Sequence, residues 1–113
     1  MVALQVVGHL SADPLGDALD HLYAEWNNKA AGFVSYGVVG GARAAEQLRL
    51  ICGALQMADV SQQVTLSLMT AFENYTTLKP ADHSATALDT LLDQIVAWST
   101  ALAPLRAASE AAA

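Results

Sequence analysis

Two kinds of residue in this chain could do chemistry, and the first is a run of glycines. Gly37-Val-Val-Gly40-Gly41 sits between the apolar run at residues 32–36 and a stretch with helical apolar spacing. Glycines at a strand-to-helix turn let backbone amides approach a ligand, and the helix dipole favours anionic or electron-rich groups there. The spacing is not a dinucleotide fingerprint, which needs G-x-G-x-x-G and an acidic residue about 20 positions later. It is not a P-loop either, because no G-K-[ST] closes it. A tight turn with no ligand is the equal alternative. Ser35 and Tyr36 precede the turn, at the carboxyl end of what reads as a parallel strand, where ligands bind in such folds.

The second kind is the titratable side chains. His9, His21 and His83 are dispersed, with no second ligand at metal spacing, so no metal site is assigned. Asp17 with Asp20, and Asp89 with Asp93, read as solvated helix faces. No Ser-His-Asp arrangement follows from these spacings. A phosphate-receiver domain would need an acidic cluster after its first strand. None follows Val2–Val7, although Lys79 could serve as that domain's lysine. Cys52 lies among Leu48, Ile51 and Leu55 at helical spacing and reads as a buried structural thiol. No side chain is assigned as a catalytic acid, base or nucleophile.

The elements that would hold the turn alternate along the chain. Residues 2–7, "VALQVV", are β-branched-rich and read as a strand. Asp13 can cap a helix and Pro14 fits its first turn. Leu15, Ala18, Leu19, Leu22, Tyr23 and Trp26 then share one helical face, with Gly16 locally unfavourable and "NNK" closing the helix. Residues 31–36 read as a strand buried on both faces, the mark of a parallel sheet. Residues 41–57 form a helix through Ala44, Leu48, Ile51, Cys52 and Leu55. Val60, Val64, Leu66 and Leu68 alternate with polar residues, as in a half-exposed strand at a sheet edge. A long polar connection, "TAFENYTTLKPAD", leads to a helix through Leu88, Leu91, Leu92, Ile95, Trp98 and Leu102 that ends near Pro104. The order predicts an α/β fold with three parallel strands, the middle one central, joined by right-handed crossovers. One domain covers residues 1–106, and residues 107–113 are a frayed Ala-rich tail.

Composition narrows the function classes. Of the 113 residues 54% are hydrophobic and 14% charged, with a formal net charge of −6. Lys29, Arg43, Arg49, Lys79 and Arg106 are scattered, so a nucleic-acid surface is not expected. No apolar run approaches the roughly 18–20 residues of a membrane span. "MVALQVVGHL" has no basic n-region, which makes the cytoplasm the default compartment. So apolar a small chain should bury surface against a partner.

Two motifs carry a family resemblance: L-D-x-L-Y-x-E-W-N-N-K at residues 19–29 and F-V-S-Y-G-x-x-G-G-x-R-A-x-E-Q-L-R at residues 33–49. The chain resembles the C-terminal half of flavodoxin-like NAD(P)H-dependent FMN reductases. The likeness covers residues 13–104 and is specific over 18–57. It implies a truncated flavodoxin-like three-layer sandwich supplying the third, fourth and fifth strands of the 2-1-3-4-5 order. It implies that Ser35, Tyr36, Gly37, Gly40 and Gly41 line the pyrimidine end of an FMN ring. The implied activity is hydride transfer from NAD(P)H through the flavin to a quinone, dye or metal acceptor. The family's phosphate-binding loop and first two strands have no counterpart here, and "GHLSAD" replaces its ring-packing T-P-E-Y-N segment. Weak FMN binding by an incomplete site is therefore expected. The alternative is a non-catalytic half-domain that acts through oligomerisation or complementation by another chain.

The same resemblance bears on assembly. A homodimer or larger homo-oligomer is expected, through an unpaired first strand or through Leu19, Leu22, Tyr23 and Trp26 packed against a copy of themselves.

Overall fold

The computed structural model describes residues 2–7, 19, 22–37, 40–74, 76–79 and 81–112. The expected cap at Asp13, the helix start through Leu15, Gly16, Asp17, Ala18 and Asp20, and His9 and His21 lie outside them. The strands β1 (Val2–Val7), β2 (Ala30–Gly37) and β3 (Ala58–Ser67) form one sheet in the order β1-β2-β3, with both pairings parallel. Helix α1 (Ala42–Ala54) joins β2 to β3. A short antiparallel hairpin, β4 (Phe72–Glu73) and β5 (Thr77–Leu78), occupies part of the expected polar connection. Helix α2 (Asp82–Ala112) follows.

Two apolar clusters show why β2 reads as apolar throughout. Successive side chains of a strand point to opposite faces. Ala31 and Phe33 enter a cluster with Leu19 and with Ala44, Ala45, Leu48 and Cys52 of α1. Ala30 enters the other, with Val60 and Val64 of β3 and Leu91 and Ile95 of α2. The helices thus cover opposite faces, giving three layers. Gly32 sits where α2 comes closest. A Cβ there would lie 2.7 Å from Cδ1 of Ile95.

The pairing of β2 with β3 shifts register. Ala31 faces Asp59, but Phe33 faces Gln63, so four steps along β3 match two along β2. The surplus chain leaves backbone groups without ladder partners. Arg49 of α1 takes up two of them, the Val60 and Ser61 carbonyls, and binds side chains beside them. Its guanidinium donates to the Val60 carbonyl at 2.9 Å, the Asp59 carboxylate at 2.6 Å and Gln63 Oε1 at 3.2 Å. It also stands over the Phe33 ring, 5.1 Å from the centroid. From the other face, Gln94 Oε1 accepts from the Gln62 amide at 2.9 Å.

Three sequence expectations need correction. The first helix does not run through Trp26. Residues 24–28 form turns held by i→i−3 bonds, including Trp26 N to Tyr23 O at 3.0 Å. The Trp26 indole instead donates back to the Leu19 carbonyl at 3.0 Å. Trp26 and Leu19 therefore pack inside the chain, while Leu22 and Tyr23 stay exposed. The helix at residues 41–57 ends at Ala54, in a Schellman-type cap. Gln56 takes a positive φ of 58°, and the Met57 amide bonds the Cys52 carbonyl at 2.9 Å. The last helix does not stop near Pro104 but is continuous through Ala112. Proline removes one backbone donor and crowds the preceding turn. Here Arg106 donates to the Ser99 carbonyl at 3.1 Å and to the Asn28 carbonyl at 3.0 Å. The first contact supports the turn before the proline, and the second ties the helix to the start of β2. The alanines around it are strong helix formers.

Cys52 is fully buried, as its spacing predicted. Burial, with the nearby Asp59 carboxylate, pushes its thiol up to about 11 from an ordinary 9.0, against the lowering effect of Arg49. The folded state thus holds the proton to higher pH than the unfolded state. The contribution is complete below pH 9 and is lost as pH rises through 11, by up to about 3 kcal/mol. Denaturation at stepped pH should show wild type losing this increment while Cys52→Ala does not. Arg49→Met should cost about 1–3 kcal/mol, read as a lower urea midpoint with unchanged m-value. A neutral result would remove Arg49 from the support of the register shift.

Candidate functional site

The glycine turn leaves the carboxyl end of β2, the strand between β1 and β3. Gly37 closes it on two sides: its carbonyl accepts from the Gly40 amide at 3.1 Å and the Leu68 amide at 2.9 Å. Gly40 and Gly41 have φ of 72° and 71°, the left-handed region that side chains rarely adopt. Space forbids a side chain as well. A Cβ on Gly40 would stand 2.8 Å from Thr65 Cβ, and one on Gly41 would stand 2.8 Å from Ser35 Cβ and 2.9 Å from the Tyr36 carbonyl oxygen. The turn's own packing on β2 and β3 therefore demands both glycines.

Ser35 is fully buried, and its hydroxyl donates to the Gly40 carbonyl at 2.5 Å. It holds the turn from beneath, so any influence on a ligand passes through the shape of that turn. Tyr36 points to the opposite face of β2. It is half-buried, with its ring centroid 6.0 Å from that of Phe72 at the start of the hairpin. That contact was not legible in the sequence, because Phe72 lies in the segment read as a polar connection. Gly37, Gly40 and Gly41 are buried. The structure thus brings together Ser35, Gly37, Gly40 and Gly41, with Tyr36 alongside on the α2 face.

Immediately after the turn, α1 begins with Gly41 at its N-cap, no side-chain cap and no acidic residue in the first turn. The first intrahelical bond runs from Ala45 N to Gly41 O at 3.1 Å. The amides before it have no intrahelical acceptor and carry the positive end of the helix dipole. A helix N-terminus without a side-chain cap suits an anionic or electron-rich ligand atom. His83, Asp89 and Asp93 are exposed along α2, and Lys79 pairs with Glu73 at 2.7 Å. Among the described residues no three His, Cys, Asp or Glu side chains converge, and no helix is long and apolar enough to cross a membrane.

Comparison with known proteins bears on the same segment. A family model described as NADPH-dependent FMN reductase matches residues 11–71. An NAD(P)H-dependent FMN reductase of Schizosaccharomyces pombe (strain 972 / ATCC 24843) is 46% identical over 54 residues. That match covers 48% of this chain and 27% of the relative, so the chain spans about a quarter of the relative's length. No solved structure matches. The matched residues hold the central strand, the glycine turn, α1 and the Arg49-braced register shift, and on that match the chain belongs to the NADPH-dependent FMN reductase family.

Proposed function

We propose that the chain is the ring-binding part of an FMN-dependent oxidoreductase, with residues 35–41 set against the pyrimidine edge of the flavin. The observation that supports this is the turn itself: two left-handed glycines, locked from beneath by Ser35 and opening onto an uncapped helix N-terminus at the end of the central strand. FMN, when bound, would supply hydride transfer from NAD(P)H to an acceptor such as a quinone, dye or metal species. The chain's own part is positional. Ser35 holds the turn in one conformation. Gly40 and Gly41 let its backbone lie flat on β2 and β3. The amides opening α1 face electron-rich ring atoms, and Tyr36, braced by Phe72, sets a wall on the α2 face. No side chain of the site is assigned as an acid or base.

The reading carries three further parts. Affinity is weak, because the turn addresses the ring and phosphate contacts normally supply much of a flavin's affinity. The protein acts in the cytoplasm. The chain is also a homo-oligomer, supported by its exposed large apolar residues, among them Leu22, Tyr23, Leu92, Val96, Trp98 and Leu105. The same exposure favours a second reading, a non-catalytic half-domain that acts through oligomerisation or is completed by another chain. Colour separates the two, since a flavoprotein purifies yellow.

Flavin titration followed by FMN fluorescence quenching should give weak, saturable binding. Gly40→Val and Gly41→Val should abolish it, and tight stoichiometric flavin on purification would disprove the weakness. Those substitutions strain the turn, so Ser35→Ala serves as the milder variant. It should keep the far-UV CD spectrum, cost about 1 kcal/mol of stability and weaken FMN several-fold. Unchanged affinity in all three variants would place any flavin elsewhere.

A further inference from the structure

Helix α2 covers β2 and β3 with its N-terminal half and then runs on. Leu91 and Ile95 are fully buried against the sheet, with Ser84 and Ala87 on the same side. Beyond Ile95 the helix turns a lateral stripe to solvent. Trp98 is 52% exposed and Leu105 53%, and Ala97 and Ala101 beside them are exposed too. Helical spacing sets Trp98, Ala101 and Leu105 on one side, bordered by the half-buried Leu102 and Arg106. Ala97, Trp98 and Ala101 line an open slot of about 210 Å³.

The charge pattern says what fits this stripe. The chain carries 11 acidic residues against 5 basic ones, so two copies repel over most of their surface. Residues 94–109 contain no Asp or Glu. Their one charged residue, Arg106, is turned inward onto the Asn28 and Ser99 carbonyls. The other exposed apolar row of α2, Leu88, Leu92 and Val96, has Asp89 and Asp93 beside it, and self-pairing there would bring like charges together. The acid-free stripe is also self-complementary. If two α2 helices cross antiparallel about a two-fold axis at Ala101, position 105 of one copy meets position 97 of the other. Each Leu105 then enters the partner's slot, so a single operation fills both. Alanines at 97, 101 and 108 let the axes approach to the roughly 8–10 Å of packed helices.

We propose that the C-terminal half of α2 is the homodimer seam of this protein, with Leu105 of each copy seated against Ala97, Trp98 and Ala101 of the other. This rests on the reading that the chain self-associates, and the two claims fail differently. Sedimentation velocity over a wide dilution range should show a monomer–dimer equilibrium, and Leu105→Glu should weaken it at least about tenfold. Leu105 is exposed, so the fold should survive, as CD would verify. In parallel, Ala101→Cys should form an intermolecular disulfide on mild oxidation, while Ala103→Cys, on the opposite side of the helix, should not. Cys52 is buried and does not compete. A monomer at every concentration would overturn self-association and seam together. A dimer indifferent to Leu105→Glu, or cross-linked equally through both cysteines, would overturn the seam and leave self-association standing.

Discussion

Two-sided burial of β2 is the constraint on which the rest of the structure depends. A strand covered on both faces has no solvent to accept its polar groups, so the ladder to its neighbours must take them. Every side chain must also fit between two helices. At Gly32 a Cβ would stand 2.7 Å from Ile95 Cδ1 of α2, so that side chain would have to shift. At Ser35 the buried hydroxyl needs an acceptor, and the carbonyl of Gly40 supplies it. The candidate site is thus continuous with the core. The hydrogen bond that satisfies a buried serine is the one that shapes the turn.

The β3 side meets a related demand differently. Fitting a ten-residue strand against an eight-residue one leaves surplus chain that the ladder cannot absorb. Arg49 suits that role because a guanidinium presents several donors in a fixed plane, enough to reach two backbone carbonyls, a carboxylate and an amide oxygen at once. The same group lies over the Phe33 ring. One side chain thereby ties α1, the central strand and the edge strand together. An edge that is irregular and already hydrogen-bonded is also a poor template for a further strand. The proposed association through the helical layer, away from β3, agrees with that.

Family membership and geometry bear on different parts of the function. The match to the FMN reductase family covers the turn and the elements that hold it. The geometry shows why the glycines there are required even with no ligand present: both are excluded from bearing a side chain by the chain's own atoms. Glycines at such a turn are therefore poor evidence of a cofactor by themselves. The more telling feature is the helix that follows, which opens without a side-chain cap and without an acidic residue in its first turn.

Much of the architecture was legible in the sequence because it depends on local periodicity. The unbroken apolar run around Phe33 marks a two-sided strand, and the spacing of Ala44, Leu48, Cys52 and Leu55 marks a helix that buries one face. The glycine turn was legible because it is contiguous. What stayed hidden depends on residues far apart in the chain. The register shift in β3 leaves no local mark, and Arg49 and Gln94 take their roles only once α1 and α2 lie on opposite faces of it. Pro104 read as a stop because proline is a poor helix residue. Only the fold brings the Asn28 carbonyl to Arg106, 78 residues away, where it helps hold the helix past that point. Trp26 read as one more member of a helical stripe, yet its indole turns back to the Leu19 carbonyl as the chain enters β2. Periodicity decides which face of an element is buried. Which polar atom ends beside which unpaired carbonyl is decided by packing, and this was a matter for the tertiary structure alone.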